Sequence, residues 1–207
     1  MKFNAQNTLS IMRARRRFMF TPERIESLKP NEVFVFGSNM NGNHYGGAAR
    51  IAYDHFGASW GVGEGESGMT YAIPTLNHGM EKVTHQQLSG SISRFIAFCE
   101  EHPEKEFYLT KIGCGIAGWS IYEVAEIFFE TLKNITKLGM LPSNLVLPKE
   151  FHLYPKIKMS ENKLAVLQRR ARKSSDENER ERLHNAIVDE ESRLNVLRDE
   201  IGYNKKS

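Results

Sequence analysis

Along the chain, short apolar runs alternate with longer segments whose apolar residues recur at three- and four-residue spacing. Val33-Phe34-Val35-Phe36 is a continuous β-branched and aromatic run, the pattern of a strand buried on both faces. Gly47 to Phe56 reads as a helix, and Thr70-Tyr71-Ala72-Ile73 as a second strand that Pro74 is expected to stop. Gln86 to Glu101 places Leu88, Ile92, Phe95, Ile96 and Cys99 on one helical face, and a turn holding Pro103 leads to the strand Phe107-Tyr108-Leu109-Thr110. Ser120 to Leu138 reads as a helix with Gly139 as its C-cap, followed by the strand Leu145-Val146-Leu147. Strands alternating with helices predict an α/β fold, a sandwich around a mostly parallel sheet.

The pattern changes after Lys158. From Ser160 onward there is no proline and no aromatic residue until Tyr203, while Glu, Arg, Lys and Leu dominate, the composition of exposed helix. Ser160 is the expected N-cap. Leu183, Ile187, Leu194, Leu197 and Ile201 form a heptad seam once Glu190 is accepted in it, and Leu164, Leu167 and Ala171 form a second seam out of phase. Lys173-Ser174-Ser175-Asp176 lies between them, so the tail is either a helical hairpin or one long helix with a stutter. Two uses stay open: a coiled coil that makes a homo-oligomer through residues 160–201, or a hairpin that folds back on its own chain. The expected division is a basic arm over 1–20, an α/β domain over 21–158 and a helical tail over 159–207.

Composition narrows the classes. With 207 residues, 40% of them hydrophobic and 26% charged, the chain is neither disordered nor fibrous, and no window approaches eighteen apolar residues, so no membrane partner is expected. A net charge of +3 does not demand a nucleic acid. The basic excess is local: Arg13, Arg15, Arg16 and Arg17 lie in a first-twenty stretch without acids, which is either a nucleic-acid arm or a solvated basic helix face. That start also mimics a transit peptide but has no secretory apolar core, so the cytoplasm is the expected compartment. Cys99 and Cys114 make no disulfide framework and no zinc spacing, so no metal and no resident cofactor are expected.

The chemistry concentrates in two glycine-rich loops that follow strands and precede helices: Gly37-Ser38-Asn39-Met40-Asn41-Gly42-Asn43-His44-Tyr45-Gly46-Gly47 and Gly113-Cys114-Gly115-Ile116-Ala117-Gly118-Trp119. In an open parallel sheet ligands bind at the carboxyl ends of strands, and helix N-termini offer free N–H groups to phosphate. Two such loops can clamp a diphosphate; glycines that merely close tight turns are the plainer alternative. There is no GxxxxGK[ST]. Gly63-Glu64-Gly65-Glu66-Ser67-Gly68 matches GxGxxG formally but precedes a strand and carries two carboxylates, so it is read as a decoy. Glu64 and Glu66 are then either solvated turn acids or groups that bind ribose hydroxyls or act as a general base. His44 is either an acid–base group or a hydrogen-bonding histidine. Cys114 is either a thiol activated by loop amides or a packed one. Tyr71, Thr75 and Trp119 are expected to line or support the pocket.

The order of these motifs resembles the macro domain. Val35-Phe36-Gly37-Ser38-Asn39 is similar to the macro strand that ends in Asn, Gly46-Gly47-Ala48-Ala49 to the end of its first glycine loop, and Lys111 to Trp119 to its second. FVFGSN, GxHxGGAA, GEGxxGxxYAIPT and TKIGCGIAGW together resemble more closely a phage- and prophage-associated family of macro-like proteins labelled as non-structural, over about Glu32 to Pro148. The resemblance implies a three-layer α/β/α sandwich that binds ADP-ribose or a related NAD-derived nucleotide. It implies Asn39 at the distal ribose, Gly42, Gly46 and Gly47 against ribose and phosphates, and Gly115, Ile116, Ala117 and Gly118 holding the diphosphate through their amides. One hydrolytic class carries Asp where this chain has Gly46, the loop aromatic is Ala117 here with Trp119 two positions on, and Glu23 is the nearest acidic group for the adenine. The expected function is therefore nucleotide binding, with hydrolysis of an ADP-ribosyl bond through Glu64 or Glu66 as an extension. A non-catalytic assembly protein that uses its tail, and sequestration of an NAD-derived signal, are the alternatives.

Overall fold

The computed structural model describes residues 19–136 and 140–202. The chain divides into two compact units between Lys149 and Glu150. The first unit is built on a mixed five-stranded sheet: β1 (Glu32–Asn39), β2 (Gly65–Ser67), β3 (Thr70–Leu76), β4 (Glu106–Leu109) and β5 (Leu145–Val146), in the order β2-β3-β1-β4-β5. β1 runs parallel to β3 and β4, and β4 parallel to β5; only β2 is antiparallel, to β3. Three helices connect the strands: α1 (Gly47–Phe56), α2 (His85–Glu101) and α3 (Ile121–Ile135).

Alternation along the strands separates two faces. Phe34 and Phe36 of β1, Ala72 of β3, Tyr108 of β4 and Val146 of β5 pack with Ala49, Ala52 and Phe56 of α1. The intervening residues point the other way: Phe107 meets Phe95 of α2 at 5.8 Å between ring centroids, and Tyr71 meets Phe95 at 5.0 Å. The arrangement is compatible with a three-layer sandwich, and its core strands, buried throughout, read as continuous apolar runs for that reason.

The boundaries of two helices are fixed by reciprocal caps. Thr84 and Gln87 form a capping box before α2, and Ser120 and Glu123 another before α3. α3 ends at Ile135 with Thr136 as its cap; the expected C-cap Gly139 lies outside the described residues, as do Leu138 and Tyr203.

Pro74 does not stop β3, which continues to Leu76 with Pro74 paired to Ser38. β2 pairs with β3 only over Thr70–Ala72, so past Ala72 that side of β3 carries no ladder from β2 and a residue without N–H is tolerated there.

The second unit is a helical hairpin of α4 (Leu153–Lys173) and α5 (Glu177–Glu200), which excludes a single long helix. Arg170 pairs with Glu179 near the turn and Glu161 with Arg198 farther from it, so the helices are antiparallel. Ser160 is not an N-cap. α4 begins earlier, at Leu153, with Pro155 in its first turn where a missing N–H is harmless, and the Ser160 hydroxyl reaches across the hairpin to Glu190. Asp176 caps α5 by accepting from the N–H groups of Asn178 and Glu179. Leu183, Glu190 and Leu194 are the buried positions of α5, so the polar seam residue is real. The basic arm at Arg13, Arg15, Arg16 and Arg17 lies outside the described residues. Among the described residues no helix is long and apolar enough to cross a membrane.

Candidate functional site: a cleft between two glycine loops

Both glycine loops leave the carboxyl ends of neighbouring parallel strands, the first from β1 and the second just past β4. Their close approach is made by glycine itself. A Cβ on Gly37 would lie 2.8 Å from the Gly113 nitrogen, and one on Gly113, at φ +72°, would lie 2.7 Å from Cδ1 of Trp119. The Thr75 hydroxyl donates to the Ser38 carbonyl at 3.1 Å, and the Trp119 indole N–H donates to the Thr75 carbonyl at 3.3 Å. Trp119 is thus a buried brace behind the second loop, with Lys82 over its ring at 4.9 Å, and not a wall of the cleft.

The first loop is closed by its own asparagine. The Asn39 side chain donates to the Asn43 carbonyl at 2.6 Å and accepts from the Asn43 N–H at 3.1 Å. Gly63 underlies the turn: its carbonyl accepts from the Ser38 hydroxyl, and a Cβ there would lie 2.4 Å from the Asn39 carbonyl oxygen. The stretch read as a dinucleotide decoy therefore includes the support of the real loop. Gly42 belongs to that support as well, since a Cβ on it would strike Gly61 at 2.3 Å.

Between the loops lies a cleft of about 140 Å³ lined by Gly37, Ser38, Asn39, Gly46, Gly47, Gly113, Gly115, Ile116 and Ala117, with Asn43, Tyr45 and Thr75 beside them. α1 begins here with Gly46 as its N-cap, with no side-chain cap and no acid in the first turn. The N–H groups of Gly47, Ala48 and Ala49 have no acceptor among the described residues. In the second loop the N–H groups of Cys114, Gly118 and Trp119 are used internally, bonding Lys111, Gly115 and Gly113 carbonyls at 3.2, 2.9 and 3.0 Å. Those of Gly115, Ile116 and Ala117 have no acceptor among the described residues. Unpaired amides on two sides of one cleft form a cradle for an anion.

A second cavity of about 590 Å³ adjoins the cleft and shares Gly47, Ala48, Thr110, Lys111 and Gly115 with it. Its far wall is Thr21 to Glu26, fixed beside β5 by the Thr21 N–H on the Leu147 carbonyl at 2.9 Å and the Thr21 hydroxyl on the Val146 carbonyl at 2.9 Å. Glu23 lines this cavity and forms an ion pair with Lys111, which lines both spaces. Ile25, Phe34 and Ile51 supply apolar lining and His55 a polar edge. The volume lies within the range of small-molecule sites.

Several expected site residues stand elsewhere. Glu64 is held by Arg94 in a two-point ion pair, at 2.9 and 3.0 Å, and Glu66 is paired with Lys105; neither lines the cleft. Both sit at the β2 edge, where α2 and the chain after it supply cations. His44 is fully buried, its Nε2 3.0 Å from the Ser59 carbonyl, and does not face the cleft. Cys114 turns its thiol to the Ile112 carbonyl at 3.4 Å, and Gly118 is in the turn that closes the loop. Tyr71 is buried against Phe95 and Phe98, and burial followed by the nearby Glu64 pushes its hydroxyl up to about 12, away from acid–base use.

Sequence reasoning left the Thr21–Glu26 wall without a role beyond Glu23, and no periodic or motif signal marks it. Lys111 was within reach, as the cation directly before the second loop. Among the described residues no group of three or more His, Cys, Asp or Glu could hold a metal ion. Comparison with protein-family models, with curated proteins and with solved structures found no match to this chain.

Proposed function

We propose that the α/β unit binds ADP-ribose or a closely related NAD-derived nucleotide, as its resemblance to macro-like proteins implies. The adenosine occupies the larger cavity and the diphosphate lies in the cleft between the loops. The observation that carries this reading is that two sets of backbone N–H groups without an acceptor among the described residues, Gly47–Ala49 and Gly115–Ala117, belong to the lining of one cleft that adjoins a nucleoside-sized cavity. Lys111, held by Glu23, lines both spaces, and the apolar lining at Ile25, Phe34 and Ile51 suits a base.

The reading is one of binding. Hydrolysis needs a carboxylate within one water of the distal ribose, and the two put forward for it are closed in ion pairs outside the cleft. Calorimetric titration with ADP-ribose, NAD and ADP tests the proposal, with Gly115→Glu as the control. Gly115 has nothing within 4 Å of its Cβ position, so the substitution starts in open space and adds a carboxylate beside the cradle. Binding in roughly the micromolar range that the variant loses supports the reading. Absence of heat with all three ligands overturns it.

A further inference from the structure

Next to the cleft, on the same unit, three large aromatic rings stand exposed. Tyr45 is 72%, Trp60 46% and Tyr53 42% exposed. They are not scattered. Tyr45 meets Trp60 edge to face with centroids 4.9 Å apart at 80°, and Trp60 meets Tyr53 at 5.8 Å and 76°. Clustered exposed aromatics on a polar surface mark a binding face, and ring faces left open to water gain most from a planar partner.

The cluster is rooted. His44 lies fully buried beneath it, 6.1 Å from the Trp60 ring and 6.4 Å from Tyr53, with Nε2 bonded to the Ser59 carbonyl at 3.0 Å. The histidine thus ties the residue before Tyr45 to the residue before Trp60. Its Nδ1 has no hydrogen-bond partner among the described residues, so the arrangement keeps an unsatisfied buried nitrogen, which costs free energy.

Adjacency to the cleft points to the occupant. Tyr45 also lines the two-loop cleft and does not line the nucleoside-sized cavity. A ligand with adenosine in the large cavity and diphosphate on the amides carries its other end into the cleft that Tyr45 borders. We infer that Tyr45 and Trp60 form a stacking platform for a second heteroaromatic ring, so that the preferred ligand is a dinucleotide with a base beyond the diphosphate and not ADP-ribose alone. The inference rests on the proposed nucleotide site and adds the ring-binding subsite. Trp60, 46% exposed, supplies the ring surface, Tyr45 borders the cleft, and His44 is a positioning residue for both.

The test titrates the full chain with ADP-ribose, NAD and diadenosine diphosphate, by calorimetry and by tryptophan fluorescence. The first ligand lacks a second ring, and the other two carry a pyridinium and a purine, which separates the two sources of that ring. Trp60 is half-exposed while the other tryptophan, Trp119, is 4% exposed, so stacking on Trp60 quenches the accessible component. At least one ring-bearing ligand is expected to bind about tenfold or more tighter than ADP-ribose. Trp60→Ala, which lies outside the cleft lining, is expected to remove that advantage while ADP-ribose affinity holds; Trp60→Phe keeps the advantage and loses the quench. Equal affinity for all three ligands, or an equal loss for all three in the variants, overturns the platform and leaves the nucleotide site intact. No binding by any ligand overturns both.

Discussion

Asn39 and Asn43 hold each other in both directions, the side-chain amide of the first against the backbone carbonyl and N–H of the second, at 2.6 and 3.1 Å. The side chain expected to touch ribose is thus first a staple that sets the curvature of its own loop. Asn39→Asp keeps the acceptor and loses the donor, and Asn39→Ala loses both. Graded losses of ligand affinity are expected, about fivefold and then thirtyfold, with stability lowered by roughly 1–2 kcal/mol in the alanine variant. Calorimetry beside thermal melts separates the two effects. Full affinity in Asn39→Ala would show that the staple has no part in binding.

Gly113 and Gly115 are neighbours with opposite tolerances. Gly113→Ala combines a φ of +72° with a Cβ 2.7 Å from Trp119 and is expected to destabilise the α/β unit by about 1–3 kcal/mol. Gly115 has nothing within 4 Å of its Cβ position, so Gly115→Ala is expected to leave the melting temperature unchanged. Circular dichroism melts of both variants check this, and equal melting temperatures would contradict it.

The Glu64–Arg94 and Glu66–Lys105 pairs stand outside the cleft, with side chains a quarter or more exposed. Surface pairs of this kind contribute about 0–1 kcal/mol. Glu64→Gln and Glu66→Gln are expected to keep ligand affinity within twofold. A loss of turnover in either variant, if hydrolysis of an ADP-ribosyl bond is detected in the parent, would restore the carboxylates to the mechanism.

The two thiols differ in environment. Cys99 is fully buried and its pKa is raised by burial, with the nearby Glu100 adding to it, whereas Cys114 is half-buried in the second loop. A maleimide is expected to label Cys114 in the native protein and Cys99 only on unfolding. Bound nucleotide is expected to slow Cys114 labelling, read by mass spectrometry. Labelling of Cys99 at the same native rate would refute the difference.

In the hairpin, Glu190 is buried against Ser160 and Lys163, and its pKa is lowered from the ordinary 4.5 by the bond to Lys163 and then by the bond to Ser160. A carboxylate depressed in the folded state contributes its stability in full above its unfolded value and loses it as pH falls through the folded one. Helical melts of the full chain are therefore expected to hold from neutral pH to about 5 and to weaken below about 4.5, with Glu190→Gln flattening that part of the profile. An unchanged acid profile in the variant would assign the acid sensitivity to other groups.

The sequence by itself determined the longer strands and helices of the α/β unit, but not the short β2, read as a loop, nor the start of α4 at Leu153. Continuous apolar runs can be satisfied only by burial on two faces, and the 3.6-residue spacing of Leu88, Ile92, Phe95 and Cys99 only by a helix against the sheet. It also marked both glycine loops, because only glycine allows Gly37 and Gly113 to meet. Tertiary structure decided the rest. Which glycines line a cleft and which, like Gly42 and Gly63, carry one depends on what lies across from each, and that is a long-range fact. Ser160 has good capping chemistry, but a hydroxyl can bond a helix end or a partner helix, and the neighbouring Glu190 decided it. Pro74 sits in a strand because β2 is too short to reach it, which no local rule records. His44, Glu64 and Glu66 carry versatile groups whose use is set by their surroundings: an aromatic cage for the first, Arg94 and Lys105 for the others. Local pattern is legible because it is enforced residue by residue along the chain. The site is not, because it is assembled from strand ends that only the parallel sheet brings side by side.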